Sequence, residues 1–118
     1  MSKLKILVVD DFPIFRVGLG ALLSKTADLE IIGEAENGQV AIEKARQLKP
    51  HLILMDLMMP VMGGTEAIRI IKKHQPEIKI IALTGEYQLK QIQATLAAGA
   101  DGYVLKDDSN LTLLTAIN

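Results

Sequence analysis

The sequence predicts an α/β fold in which five parallel strands form one sheet with helices on both faces. Five apolar runs alternate along the chain with segments of helical periodicity, which indicates right-handed βαβ units. The middle runs are apolar throughout, as expected for strands that are covered on both faces. Polar residues end four of the runs, and parallel strands all end at one edge of their sheet, where open α/β sheets bind ligands.

The strands are predicted over residues 4–9, 29–35, 52–56, 78–83 and 102–105. The second run carries Glu30 and Glu34 among its apolar residues, so we expect that strand to lie at an edge of the sheet.

Five helices are predicted, at about 13–25, 38–48, 65–74 and 87–98, with a fifth after a cap at Asp108 or Ser109. Pro13 suits the first position of the first helix. Pro50 and Pro76 follow the second and third helices, and Gly99 suits a C-terminal cap of the fourth. Each helix carries an apolar stripe: Ile14, Val17, Gly18, Ala21 and Leu22; Ala41, Ala45 and Leu48; Ala67, Ile68 and Ile71; Leu89, Ile92 and Leu96; Leu113, Ala116 and Ile117.

The composition is that of a single globular domain, predicted over residues 1–118, with 49% hydrophobic and 23% charged residues. The net charge is -1, and Lys72-Lys73 is the only adjacent basic pair, which argues against nucleic acid as the partner of this segment. The chain has no Cys and no apolar run of membrane-spanning length, so we expect a cytoplasmic protein that does not contact a membrane. The apolar phase of the fifth helix continues to Ile117, which predicts a segment of a longer protein.

Asp10 and Asp11 end the first strand, and two interpretations of this pair stay open. They can cap the helix that follows, because the N-terminal end of a helix favours anions. Two adjacent acids at a buried strand edge are nevertheless costly without a positive partner. Mg²⁺ could be that positive partner, because it binds one or two carboxylates and keeps several of its water ligands.

Asp56 ends the third strand and begins the segment Asp56-Leu-Met-Met-Pro60. A lone Asp at such a place is more often a turn or cap residue. If the third strand lies beside the first, however, Asp56 faces the other two acids, and a carboxylate can attack phosphorus to form an acyl phosphate. Pro60 and Gly63-Gly64 fit a tight loop that brings backbone close to the site, although they are also ordinary turn residues.

Thr84 and Lys106 end the fourth and fifth strands. Thr is common in strands, and a single Lys after a strand is usually solvated, so each alone is a weak signal. At an edge that holds three acids, the ammonium of Lys106 would pair with them or with an arriving phosphoryl group. The hydroxyl of Thr84, followed by the small Gly85, can help to clamp an anion.

With these residues the chain resembles the receiver domain of a two-component response regulator. The residues that carry the resemblance are Asp10-Asp11, Asp56 with Pro60, Thr84, Lys106 and the stretch 99–106, Gly-Ala-Asp-Gly-Tyr-Val-Leu-Lys. The resemblance implies a flavodoxin-like, doubly wound sheet of order 2-1-3-4-5, an order for which a chemotaxis receiver is a known example.

The resemblance also implies roles for these residues. Asp56 would accept a phosphoryl group from the phosphohistidine of a sensor histidine kinase. Asp11, Asp56 and the backbone carbonyl of Met58 would ligate Mg²⁺, with Asp10 acting mostly through water. Lys106 would hold the phosphoryl group, the Thr84 hydroxyl would bond it, and Tyr103 would turn inward and reshape the surface around helix 4 and strand 5.

The ending Lys106-Asp107-Asp108-Ser109 and the segment Arg16-Val17-Gly18-Leu19 are similar to the branch whose output is a LuxR-type helix-turn-helix. That branch implies transcription regulation through a DNA-binding output domain missing here, and phosphorylation-promoted homodimers; a stand-alone receiver is the alternative. Phe12 and Gly63 depart from common residues of the branch. Met58 and Glu86 occupy positions that tune phosphoryl lifetime in the family, and the sequence predicts no lifetime.

Two other classes use a similar sheet. A haloacid-dehalogenase-type phosphotransferase needs a second acid two residues after its nucleophile, where this chain has Met58 or Phe12, and it needs a cap domain. A flavodoxin-like electron carrier needs a phosphate-binding loop after the first strand. The acids of Asp10-Asp11-Phe-Pro would repel phosphate, and only 3% of the residues are aromatic. We therefore expect a phospho-accepting switch and not a metabolic enzyme. Such a switch can also hydrolyse its own acyl phosphate, which would be an intrinsic autophosphatase activity.

Overall fold

The computed structural model of the chain describes residues 3–26, 28–85 and 88–106. Its elements are β1 (Leu4–Val9), α1 (Pro13–Ser24), β2 (Leu29–Ala35), α2 (Gly38–Leu48), β3 (Leu52–Asp56), α3 (Gly64–His74), β4 (Lys79–Thr84), α4 (Leu89–Ala98) and β5 (Gly102–Leu105). The strands form one parallel sheet of order β2-β1-β3-β4-β5, which confirms the predicted sheet and the edge position of β2. The described residues contain four helices; the fifth predicted helix falls on residues outside them.

Local chemistry explains where the helices begin and end. Pro13 occupies the first turn of α1, as predicted, and the side chain of Asn37 caps α2 by accepting from the Val40 N–H at 2.9 Å. Gly99 ends α4 with φ +117°, a left-handed conformation that glycine adopts readily, which confirms the predicted cap. The predicted boundaries of β4 are off by one residue, since the strand includes Thr84.

The core consists of two buried layers, one on each face of the sheet. Residues 6–9 of β1 and 52–56 of β3 are buried throughout, as the continuous apolar runs predicted. On one face, Leu7, Ile53 and Met55 pack with the buried side of α2 and α3. On the other, Ile6, Val8 and Leu54 pack with α1. This arrangement holds the carboxyl ends of the central strands in fixed positions.

The apolar stripes predicted for α2 and α3 coincide with their buried faces, apart from partly exposed Leu48. In α1 the predicted stripe does not, because Ile14 is 87% and Val17 is 71% exposed. The helix instead buries Leu19 and Leu23, with Phe15 and Leu22 packed beside them. This second stripe has equally good helical spacing, and a helix that is apolar on most sides does not reveal from periodicity alone which stripe meets the sheet.

The predicted stripe of α4 is also largely outside the core, since Leu89 and Leu96 are exposed. The buried residue of α4 is Thr95, whose hydroxyl donates to the Gln91 carbonyl at 2.7 Å and lies 3.4 Å from the Thr65 hydroxyl. A Thr that bonds to the preceding turn can be buried without an unsatisfied hydroxyl, so burial in α4 does not follow hydrophobicity.

Among the residues described, no helix combines the length and apolar character that crossing a membrane requires.

Candidate functional site

The carboxyl ends of four strands bring the predicted site residues together. Asp10 follows β1, Asp56 and Thr84 are the last residues of β3 and β4, and Lys106 follows β5. Asp10, Asp56 and Thr84 are buried. The Lys106 Nζ lies 2.7 Å from Asp10 Oδ2 and 3.2 Å from Asp56 Oδ1, so one ammonium bridges two carboxylates.

Asp11 adds a third carboxylate to this edge. One oxygen from each of Asp10, Asp11 and Asp56 lies within 4.8 Å of the others. Asp10 Oδ1 accepts from the Phe12 N–H at 2.9 Å, so this acid forms the turn into α1. Asp11 Oδ1 is buried and has no hydrogen-bond partner among the described residues. A buried, unpartnered carboxylate oxygen beside two further acids fits a hard cation such as Mg²⁺.

The electrostatics of the site reflect this surplus of negative charge. Burial and the neighbouring Asp10 raise the pKa of Asp56 to about 6, although Lys106 and the Met58 N–H act in the opposite direction. Burial alone would lower the pKa of Lys106, but its contacts with Asp10 and Asp56 raise it above its ordinary value. The ammonium is therefore firmly charged, while the carboxylates are only partly compensated.

Lys106 is held on several sides. Its backbone N–H donates to the Thr84 carbonyl at 2.7 Å, which fixes the end of β5 against the end of β4. Its ammonium lies 4.6 Å from the centre of the Phe15 ring, a cation–π contact. Arg16, on the same turn of α1, donates to the Asp10 carbonyl at 2.5 Å and pairs with Glu34 at 2.9 Å.

The sequence reasoning missed Phe15 and Arg16 as parts of the site. The available signal was their spacing, because they lie about one helical turn after Asp11 in a helix that starts two residues after it.

The loop between β3 and α3 approaches the site closely, as the predicted tight loop requires. The Gly64 N–H donates to the Leu57 carbonyl at 3.1 Å, and a Cβ on Gly64 would lie 2.2 Å from the Asp56 carbonyl oxygen. Val61 has φ +68°, which is unusual for a β-branched residue. The Met58 N–H donates to Asp56 Oδ1 at 3.3 Å, so the Met58 backbone lies beside the carboxylate.

An open cleft of about 450 Å³ lies above Asp56. Its walls are formed by Phe12, Met58, Thr84, Gly85, Gln88, Gln91 and Lys106. The cleft leads from solvent to the Asp56 carboxylate, which is otherwise buried.

Thr84 and Tyr103 lie on the same face of the sheet. Thr84 pairs with Leu105 and Ala82 pairs with Tyr103, and side chains two residues apart in a strand point the same way. Tyr103 is half-buried against the layer under α2 and α3, and its hydroxyl lies 3.5 Å from Gln91 Oε1 of α4. Tyr103 therefore contacts α4 on the face of the sheet where Thr84 ends β4.

A parallel sheet of order 2-1-3-4-5 with three acids, a hydroxyl and a lysine at one edge is the arrangement that the resemblance to a receiver domain implies. The sequence profile described as "Response regulator receiver domain" matches residues 6–118, and the chain belongs to this family. A receiver domain is a signalling domain.

Individual relatives agree with that assignment. Response regulator protein VraR of Staphylococcus aureus is 44% identical over 114 residues, which are 97% of this chain and 54% of VraR. The chain thus spans about half the length of the curated relatives it matches. A LuxR-family two-component response regulator from Aurantimonas superposes with a TM-score of 0.93 at 32% identity, covering 98% of this chain and 83% of that one. A DNA-binding response regulator of the LuxR family from Staphylococcus aureus has a TM-score of 0.90 at 27% identity, covering 97% and 95%.

Proposed function

We propose that this domain is a phospho-accepting switch in which Asp56 takes a phosphoryl group from the phosphohistidine of a sensor histidine kinase. The single observation that supports this best is the position of Asp56, at the floor of an open cleft and 3.2 Å from the Lys106 ammonium. A carboxylate oxygen of Asp56 attacks phosphorus, the phosphorus–nitrogen bond breaks, and the histidine ring leaves with the bonding electrons.

Asp10, Asp11, Asp56 and the backbone carbonyl of Met58 would hold Mg²⁺, with Asp10 acting mostly through water. The buried, unpartnered oxygen of Asp11 supports this assignment. When bound, the ion neutralises charge on the carboxylates and on the transferring phosphoryl oxygens. Lys106 supplies a second, fixed positive charge beside Asp56.

Thr84 and Tyr103 would relay the change. A phosphoryl group on Asp56 offers the Thr84 hydroxyl a charge-assisted hydrogen bond at the end of the neighbouring strand. Tyr103 shares that face of the sheet and turns inward when Thr84 moves, which alters its contact with Gln91 and the surface formed by α4, β5 and the predicted fifth helix.

We further propose that residues 1–118 are the receiver domain of a cytoplasmic transcription regulator with a DNA-binding output domain. The greater length of the relatives and their LuxR-family assignment support this, and a stand-alone receiver that acts by protein contact is the alternative. Phosphorylation would promote a homodimer through α1 and the fifth helix, or through the surface formed by α4, β5 and that helix. Hydrolysis of the acyl phosphate within the domain would give a modest autophosphatase activity.

Intact-mass spectrometry after incubation with acetyl phosphate and Mg²⁺ tests the switch chemistry. We expect one added phosphoryl group, which is lost in Asp56→Asn and after removal of metal. Asp101→Asn, which changes an acid at the opposite end of the sheet, is the matched control and should be phosphorylated normally. An unmodified mass in the wild type, together with no response to beryllofluoride, would rule out the proposal.

Light scattering with and without beryllofluoride tests the homodimer, and an unchanged particle mass in solution would contradict it.

A further inference from the structure

A second cavity, of about 530 Å³, lies between the C-terminal ends of α2 and α3. Both helices end near the amino ends of the strands, so this groove is at the opposite end of the sheet from Asp56. Ile42 of α2 and Ile70 and Ile71 of α3 line it. The Gln75 side chain donates to the Ala45 carbonyl at 3.0 Å and ties the two helix ends together. The groove is therefore preformed and has an apolar floor.

The rim of the groove is mainly basic. Arg46, Lys49 and His74 line it together with a single acid, Glu77. The three basic side chains are exposed, and none of them forms a salt bridge with a described residue. Cations near helix C-termini interact favourably with the helix dipole, which accounts for Arg46 and His74 individually. That effect does not account for their convergence over isoleucine side chains.

Lys49 provides a second, independent observation. It ends α2 with φ +50° and ψ +59°, a left-handed conformation that glycine usually supplies at this position. It also precedes Pro50, which restricts the backbone of the preceding residue further. A lysine at this place is conformationally unfavourable, and it puts a positive charge at the mouth of the groove.

We propose that this groove is a binding site for a small amphipathic anion, a molecule with a short apolar body and one carboxylate or similar acidic group. The isoleucines would contact the apolar body, and Arg46, Lys49 and His74 would surround the anion. The volume is that of a small-molecule site, lined by apolar side chains with a few converging polar groups.

Octanoate is a suitable probe, titrated into ¹⁵N-labelled protein below its micelle concentration and followed by NMR. We expect saturable shifts of the amides around Ile42, Lys49, Ile70 and His74. Octanol, which lacks the charge, and acetate, which lacks the chain, should each bind more weakly by about tenfold or more. Equal binding of octanol or acetate would overturn the proposal, as would octanoate shifts that map elsewhere or do not saturate.

Lys49→Gly separates loss of binding from loss of folding. Glycine relieves the left-handed backbone, so the variant should unfold at a higher temperature while binding octanoate about threefold more weakly. Combined with Arg46→Gln, the loss should reach about tenfold. Arg69→Gln, which removes an exposed cation of α3 outside the groove, is the matched control and should bind as the wild type does. Unchanged affinity in the double variant would contradict the proposed anion contact.

Discussion

Each end of the sheet pairs a lysine with aspartate, but the aspartates are buried at the carboxyl end and exposed at the amino end, and the balance of charge differs between the two ends. At the amino end, Lys72 Nζ lies 2.7 Å from Asp101 Oδ2 and donates to the Ile78 carbonyl at 2.6 Å. Asp101 Oδ2 also accepts from the Ile80 N–H at 2.9 Å. At the carboxyl end, one lysine faces two aspartates, and a third lies beside them.

This difference reverses the direction of the pKa shifts. Partial burial raises the pKa of Asp101, but Lys72 and the Ile80 N–H together bring it below its ordinary value. At the other end, burial and Asp10 raise the pKa of Asp56 to about 6. At the amino end the lysine and the aspartate balance each other, so the pair contributes to stability. At the carboxyl end the negative charges outnumber the positive one, so this end is less stable alone and an added cation would stabilise it.

Each end also contains a glycine at a close approach, and the first prediction compares the two. We expect Gly64→Ala to lower the free energy of unfolding by about 3 kcal/mol, because its Cβ would lie 2.2 Å from the Asp56 carbonyl oxygen, a backbone atom that cannot yield locally. In Gly99→Ala the nearest atom is Lys72 Cγ at 2.9 Å, part of a flexible side chain. The alanine in that variant would be strained at φ +117°, so its free energy of unfolding should fall by about 1 kcal/mol. Urea denaturation measures both, and equal losses would contradict the comparison.

The second prediction concerns pH and uses metal-free protein. The pKa of Asp56 is raised from 3.8 to about 6 on folding, so its contribution to stability is fully present below pH 3.8 and is lost as the pH rises through 6. The amide that Asp56→Asn introduces carries no charge at any pH. The variant should therefore match the wild type near pH 4 and become more stable by on the order of 2 kcal/mol near pH 7.

Chemical denaturation at a series of pH values measures that difference. Asp101 serves as the internal contrast, because a lowered pKa gives stability that is present above 3.8 and lost as the pH falls through the folded pKa. Asp101→Asn should therefore lose stability relative to the wild type at neutral pH. A difference between Asp56→Asn and the wild type that is flat with pH would contradict the assigned role of burial and Asp10.

The third prediction concerns Mg²⁺. Asp11→Asn replaces a carboxylate by an amide within the three-acid cluster, so we expect Mg²⁺ affinity to fall about tenfold, measured by calorimetric titration. Asp101→Asn removes an equal charge at the other end and should leave the affinity nearly unchanged. Equal losses in both variants would mean that net charge, and not the cluster, attracts the ion.

Much of this architecture was predictable from the sequence, because continuous apolar runs and strand-end polar residues are direct consequences of a doubly wound sheet. Strand direction places Asp10, Asp56 and Lys106 at one edge of the sheet, and their contact depends in addition on the strand order, which the resemblance implied. The faces of α1 and α4 were not predictable, since α1 carries two apolar stripes and α4 buries Thr95 through hydrogen bonds. Phe15 and Arg16 were missed because helical spacing places them near the acids without indicating which way they point.

The amino-end pair of Lys72 and Asp101 was also not predicted as a pair, and the last prediction tests its role. Asp101→Ala removes the acceptor of the Ile80 N–H and the partner of Lys72, so the free energy of unfolding should fall by about 1 kcal/mol, since the side chain is partly exposed and its ion pair is screened. Asp101→Asn keeps an oxygen for the Ile80 N–H and should lose less. Phosphoryl yield from acetyl phosphate should stay at the wild-type level in both. A lower yield at unchanged stability would show that the two ends are energetically coupled, in which case the amino-end pair takes part in the switch.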